Sequence, residues 1–319
     1  MDRGAVCGGD ARRFACRRRA VSRYYIGADL GGTGIKAALI DARGVIAARS
    51  KAATPVTEGA AGILRALKDV IRALLSEGAE VGGIGVGSAG RIDAAEGIVR
   101  YATDNLPGWT GMRLAEALTA EFALPAAVEN DANAAAAGEG WLGAAAGLCS
   151  FAMLTLGTGV GGAFLHRGAP VSGSQGAAGE FGHAVLYPGG LPCNCGQRGC
   201  AEQYLSGSAL SRRAAEAFAG WDGRRLLEAF AAGHSLAAGA VEAYLDDLSY
   251  AVHNIQSYLD PAAVIIGGGV AESHSVWWEA WQRRLAALSP LSIKVLPAKL
   301  GNEAGMLGAA RLIMDREQG

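Results

Sequence analysis

The chain has 319 residues, 50% of them hydrophobic and 18% charged, with a formal net charge of −1 and 48 glycines. Such a composition buries one or two substantial cores and excludes disorder throughout. With 29 Lys and Arg against 30 Asp and Glu, the chain has no positive field for gathering nucleic-acid phosphates, and no apolar run reaches the ~18 residues of a membrane helix, so neither nucleic acid nor membrane is an expected partner.

Residues 1–23 hold seven arginines and no apolar segment. They read as a disordered basic extension ahead of the fold, with a transit peptide or basic arm as the other readings, and the missing apolar segment argues against a twin-arginine export signal at Arg12-Arg13. Residues 25–30 then read as a strand, Gly31-Gly32-Thr33-Gly34 as a tight turn, residues 35–40 as a second strand, and a third follows the turn at 41–44. Ile63, Leu64, Leu67, Val70, Ile71, Leu74 and Leu75 recur at helical spacing and stop before Gly78. Residues 84–87 form a short buried strand, residues 110–122 a second helix, and residues 126–129 a strand leading into an alanine-rich helix that opens near Asp131.

Residues 151–156, the turn at 157–162 and residues 163–166 repeat the opening pattern. DLGGTGIKAALIDARG and TLGTGVGGAFLHRG look like two copies of one glycine hairpin, which predicts a duplicated α/β domain with a cleft between the halves. A long helix through residues 241–259 ends at Asp260-Pro261, residues 263–266 are a buried strand, Gly267-Gly268-Gly269 opens another helix, and residues 303–314 are helical again.

Gly157 to Gly162 and Gly85 to Gly90 both fit G-x-G-x-x-G, but a dinucleotide fingerprint must open a helix, and neither does. What remains is hairpins whose backbone N–H groups and threonine hydroxyls surround phosphate oxygens, with ordinary tight turns as the other reading. Asp29 ends the first strand against such a turn, where a carboxylate needs a cation or donors; a magnesium-phosphate role fits, and so does a carboxylate capping its own turn. Glu129-Asn130-Asp131-Ala132-Asn133 stands at a strand-helix junction, the usual place of a site in α/β proteins. Asp131 there is a general base toward a hydroxyl, or else Asn130, Asp131 or Asn133 caps the helix.

His183, Cys193, Cys195 and Cys200 put one imidazole and three thiols within a short span, the donor set of a closed tetrahedral zinc site. A disulfide is the weaker reading, since Cys7, Cys16 and Cys149 are scattered and no export signal is present; a reducing, cytoplasmic compartment is expected. Glu180 and Glu202 flank this clip and accept hydrogen bonds from a substrate's hydroxyls. The other histidines, His166, His234, His253 and His274, read as surface or packing residues.

Taken together, these motifs resemble the ROK family of bacterial sugar kinases and sugar-responsive repressors. The resemblance runs from about residue 24 to 312 and rests on DLGGTGIK at 29–36, GVGSAGRID at 85–93, TDNLPGW at 103–109, ENDANAAAAGE at 129–139, LTLGTGVGG at 154–162, GEFGH at 179–183, CNCGQRGCAEQ at 193–203 and IIGGG at 265–269. It implies an actin-like, ribonuclease-H-like α/β fold of two domains closing over a hexose and ATP. The expected division is a smaller domain over residues 24–128, joined by the helix of residues 303–319, and a larger one over residues 129–302 that carries the zinc loop and a homodimer surface.

The resemblance makes Asp131 the catalytic base toward the C6 hydroxyl of glucose or an N-acylhexosamine such as N-acetylmannosamine. It places Gly90, Asn105, Asn130, Glu180, His183 and Glu202 against the sugar, with His183 also a zinc ligand beside the three cysteines. Asp29, Gly31, Gly32, Thr33 and Lys36 match the first phosphate loop, Thr158 and Gly159 the second, and Gly267, Gly268 and Gly269 the adenosine side. ATP, Mg²⁺ and a structural Zn²⁺ are the implied cofactors. The common P-G-P-V-D motif is replaced here by Ala89-Gly90-Arg91-Ile92-Asp93, which reshapes the wall near the sugar's C2 substituent and brings the chain closer to members assigned to N-acetylmannosamine or to unassigned hexoses. The family's repressors carry a winged helix-turn-helix ahead of the kinase module, and the residues before Tyr24 are too few and too rich in Gly and Arg for three packed helices. A sugar sensor without catalysis is the remaining class, opposed by the retained Asp131.

Overall fold

Largely buried runs in β1 (Tyr24–Leu30) and β2 (Gly34–Asp41) and the alternating edge strand β3 (Ile46–Ala53) build a meander. In the computed structural model residues 23–318 are described; the basic extension expected over residues 1–23 lies, apart from Arg23, outside them. Helix α1 (Gly59–Leu75) buries Ile63, Leu67 and Ile71 completely, each contributing about 1.5–3 kcal/mol of apolar burial. The chain continues through β4 (Val81–Ser88), the hairpin β5 (Arg91–Asp93) and β6 (Ile98–Tyr101), α2 (Leu114–Phe122), β7 (Ala126–Asn130) and α3 (Asp131–Leu142).

A second meander of β8 (Ser150–Leu156), β9 (Val160–His166) and β10 (Ala169–Pro170) follows. After the cysteine loop come α4 (Glu202–Leu205), α5 (Gly207–Ala217), α6 (Gly223–Ala231), α7 (Ser235–Leu259), β11 (Val264–Gly267), α8 (His274–Leu288), β12 (Val295–Pro297) and α9 (Ala304–Gln318). No described helix is long and apolar enough to cross a membrane.

The two sheets have the same order, β3-β2-β1-β4-β7 and β10-β9-β8-β11-β12. In each, the first strand of the meander pairs antiparallel with the second and parallel with the next strand along the sheet, and a further parallel strand closes the edge. This is the duplicated α/β arrangement, actin-like and ribonuclease-H-like, that the glycine hairpins predict. Each half buries its own core, one around Ile26, Leu67 and Trp109 and the other around Tyr244, Ile266 and Trp281.

Helix α9 returns from the second half to lie on the first sheet, and glycine makes that possible. A Cβ on Gly27 or Gly85 would collide with the carbonyls of Met306 or Ala309, and one on Gly308 with that of Ala134 in α3. Backbone meets backbone at these crossings, where only glycine fits.

Three details depart from the sequence pattern. Helix α2 begins at Leu114, four residues later than its apolar spacing suggests, because Gly111 in the left-handed region (φ 87°) lets residues 110–113 run beside β6, with Gly111 N donating to Val99 O and Val99 N to Met112 O. Gly267-Gly268-Gly269 makes a turn (Gly268 φ 85°) and a short 3-10 segment, so α8 opens only at His274. The β5-β6 hairpin and helices α4 to α6 were not anticipated.

Candidate active site between the two sheets

Strand β7 hands over to α3 at Asn130, whose extended backbone (φ −62°, ψ 146°) and side-chain oxygen cap the helix by accepting from Ala132 N and Asn133 N. Asn130 therefore serves as the cap, which leaves Asp131 as the first helical residue. The Asn130 amide donates to Gly90 O at 2.9 Å and ties the junction to the β4-β5 turn. Burial pushes the Asp131 carboxyl above the usual carboxylate range, opposed by hydrogen bonds from Ala132 N and the Asn130 side chain. A carboxylate so placed is a stronger base than one in water.

Asp131 opens into a cavity of about 550 Å³ together with Gly90, Asn105, Asn130, Glu180 and His183, residues drawn from both halves. Glu180 is also raised, by burial first, with His183 lowering it and the Asp131 charge raising it further. Arg91 of the altered wall motif, Tyr101 and the zinc-ligand candidate Cys195 also line this cavity. The Arg91 guanidinium lies 4.7 Å from the Tyr101 ring centroid, a cation-π contact. Their meeting depends on the β5-β6 pairing of Arg91 with Tyr101.

Beside this cavity, the first hairpin closes with Gly31 N donating to Gly34 O, and Gly32 reaches the same cavity as Asp131. Asp29, at the end of β1, accepts no hydrogen bond among the described residues, and burial followed by the Asp131 charge lifts its carboxyl to about 6, with Lys36 opposing. Such a carboxylate is suited to a divalent cation, which would relieve both effects. The Lys36 ammonium donates to Asn302 Oδ1 at 3.0 Å, and Gly305 at the start of α9 packs against Asp29. Thr33 holds the hairpin to the end of β3 through Thr54 N.

The second hairpin closes with Gly157 N donating to Gly159 O and leads straight into β9. Gly157, Thr158 and Gly269 line a larger cavity of about 1220 Å³; Gly267 and Gly268 lie behind it in β11 and its turn. Its other walls, among them Gly207, Ser208, Arg224 and Leu227, were missed. Ser208 Oγ donates to Thr158 O at 2.8 Å, and Gly207 N donates to Gly157 O at 2.7 Å. Ser206 caps α5 by accepting from Ala209 N, so that this helix begins against the second hairpin.

The ligating atoms of His183, Cys193, Cys195 and Cys200 all lie within 4.8 Å of one another. Cys193 Sγ is 3.8 Å from His183 Nδ1, and Cys195 Sγ is 3.6 Å from Cys200 Sγ, close to the roughly 3.8 Å between ligands of a tetrahedral zinc ion. Burial, then the Cys195 and Cys193 sulfurs, push the Cys200 thiol up to about 12, so a full set of thiolates calls for a cation. Glu202 is held beside this cluster: Oε2 accepts from Val160 N at 3.0 Å and Oε1 faces Cys193 Sγ. It links the cysteine loop to the second hairpin and does not line the Asp131 cavity.

The ROK family model matches residues 25–316. The chain is similar to the glucokinase of Streptomyces coelicolor, 36% identical over 314 residues that cover 90% of this chain and 96% of that protein. It is similar to the N-acetyl-D-glucosamine kinase of Yersinia pseudotuberculosis, 31% identical over 303 residues that cover 90% and 98%. Among solved structures it resembles the ROK family glucokinase of Streptomyces griseus in complex with glucose and AMPPNP, with a TM-score of 0.78 and 35% identity over 91% of this chain and 98% of that one.

Proposed function

This chain belongs to the ROK family, and from that premise we propose that Asp131 removes the proton from the C6 hydroxyl of a bound hexose as that oxygen attacks the γ-phosphorus of ATP. The chain is an ATP-dependent hexose kinase. The observation that carries the assignment of roles is the convergence of Asp131, Asn130, Gly90, Asn105, Glu180 and His183, from both halves, on one cavity beside the first glycine hairpin.

The new O–P bond forms as the bond to the β-phosphate oxygen breaks, and ADP leaves with that electron pair. Asn105, Glu180 and His183 orient the sugar by hydrogen bonds to its hydroxyls, and Asn130 keeps Asp131 at the start of α3. Glu202 acts at one remove, by fixing His183's loop and Val160. The backbone of residues 31–33 and 157–159 approaches phosphate oxygens, Lys36 adds positive charge, and the cavity at Gly207, Ser208, Arg224 and Gly269 takes the nucleoside. Asp29 would hold the magnesium ion that offsets phosphate charge. His183, Cys193, Cys195 and Cys200 would hold a zinc ion that stiffens the sugar-side loop.

Glucose and 2-acylamino hexoses are the candidate acceptors, the former supported by the glucokinase relatives and the latter by Arg91 and Tyr101 in the cavity wall. We read the protein as cytoplasmic and as a homodimer, the dimer supported by the exposed Val185, Tyr187 and Leu191 on the cysteine loop; light scattering of the purified chain tests the dimer. A coupled ADP-release assay with ATP and magnesium against glucose, mannose, fructose, allose, N-acetylglucosamine and N-acetylmannosamine tests the kinase and names the sugar. Turnover with one of them supports the reading; sugar-induced stabilisation without any ADP release would transfer the protein to the sensor class.

A further inference from the structure

Behind the catalytic junction lies a third cavity, of about 480 Å³, that none of the steps above uses. Its walls come from both halves and include Glu129 of β7, Trp141 of α3, Phe151 of β8, and Arg311 and Arg316 of α9. Glu129 is only 7% exposed. Its Oε1 accepts from Asn130 N at 2.8 Å and from Asn133 Nδ2 at 3.1 Å, while Oε2 accepts nothing among the described residues. The cations nearby are committed elsewhere: Arg316 donates to Ala94 O, and Arg311 pairs with Asp315.

Asn133 is 4% exposed and its Oδ1 is buried without a partner among the described residues, among which the bond to Glu129 is its only side-chain polar hold. Asn133 N and Ala132 N both donate to the capping Asn130 Oδ1, and Ala132 N also reaches Asp131 Oδ1 at 2.9 Å. One carboxylate oxygen therefore grips the residue before Asp131 through its backbone and the residue two positions after it through its side chain.

We propose that Glu129 is a positioning residue for phosphoryl transfer, fixing the first turn of α3 from behind so that the Asp131 carboxylate meets the sugar hydroxyl. Glu129 does not line the sugar cavity and need not touch substrate. The proposal rests on Asp131 being the base. A misplacement of about 1 Å at a reacting group can cost 10²-fold in rate, which sets the scale of the effect.

The test is steady-state kinetics of the full chain carrying Glu129→Ala, Glu129→Gln, Asn133→Ala and Asp131→Ala, singly and with Glu129→Ala added to Asp131→Ala. Glu129→Ala is expected to lower kcat about 10- to 100-fold with the sugar KM within about 3-fold of wild type. Glu129→Gln keeps a carbonyl oxygen able to accept both bonds and is expected to restore kcat to within about 3-fold. In the Asp131→Ala background, adding Glu129→Ala should change the residual turnover by less than about 2-fold, because both act through one group.

Unchanged kcat in Glu129→Ala would overturn the proposal, as would a joint fall in kcat, sugar affinity and melting temperature that Gln fails to rescue. If Glu129→Ala does not fold, Asn133→Ala decides: a fall in kcat at unchanged KM supports the proposal and an unchanged kcat defeats it. Full turnover by Asp131→Ala would instead remove the base assignment, an outcome distinguishable from failure of Glu129 alone.

Discussion

The two halves of this molecule repeat one sheet topology around one glycine hairpin, yet the hairpins sit in opposite electrostatic settings. At the first, β1 delivers Asp29 to the turn, a carboxylate without hydrogen-bond partners among the described residues, whose proton is held to about 6. At the second, Thr155 of β8 occupies the matching place, and the start of α5 arrives instead, with Gly207 N on Gly157 O and Ser208 on Thr158 O. Duplication thus supplies two similar backbone cradles, and their neighbours divide the labour: one calls for a cation, the other presents neutral donors and a helix start. The inserted cysteine loop belongs to the second half only, and through Glu202 it braces that half's hairpin.

The comparison breaks hardest at the junction that both halves share. Asp131→Ala is expected to lower kcat by about 10³-fold or more with sugar binding retained, read by kcat against the sugar Kd. Because burial raises the Asp131 pKa and the base must be ionised, turnover should fall as pH drops through a value above the ordinary carboxylate range. A pH-rate profile with no acid limb above about pH 4 would contradict this.

Asp29→Asn removes the charge that distinguishes the first hairpin. It should lower kcat about 10²-fold and raise the magnesium needed for half-maximal rate, as a magnesium titration would report. Stability should move the other way. The folded-state pKa is raised from 3.8 to about 6, so wild type keeps this group's contribution below pH 4 and loses it as pH rises through 6, at a cost of up to about 3 kcal/mol. The ligand-free Asn variant should therefore melt higher than wild type at pH 8 and equally at pH 4.

In the second half, metal analysis should find one zinc per chain, and Cys195→Ser should lose it together with roughly tenfold or more in sugar affinity, measured by calorimetry. A metal-free protein of full activity would separate the loop from function. The smallest catalytic effect belongs to Glu139, at the other end of α3 from Asp131. It is completely buried and accepts from Lys299 N, Leu300 N and Ala144 N. Glu139→Ala strands three backbone donors and should cost about 3 kcal/mol or more in denaturant unfolding, with kcat per folded molecule nearly unchanged.

Much of this was legible in the residues. Strand, glycine turn and second strand are local patterns, so both hairpins were readable, as were the junction at Asp131 and the cluster of His183 with three cysteines, which is compact in sequence as well as in space. Glu202 shows the limit. Its place just after Cys200 suggested a hand on the sugar, but only folding reveals that its oxygens meet Val160 N and Cys193 Sγ.

By itself, then, the sequence determined the hairpins, the strand-helix junction at Asp131 and the cluster of His183 with three cysteines, because each rests on periodicity or spacing within a few dozen residues. The tertiary structure decided the rest: which face of the β5-β6 hairpin puts Arg91 over Tyr101, how α5 and α6 wall the cavity at the second hairpin, and how α9 settles on Gly27 and Gly85. Those outcomes join segments up to nearly the whole chain apart, where a contact depends on the shape of two folded surfaces meeting and not on any local preference of the residues that make it.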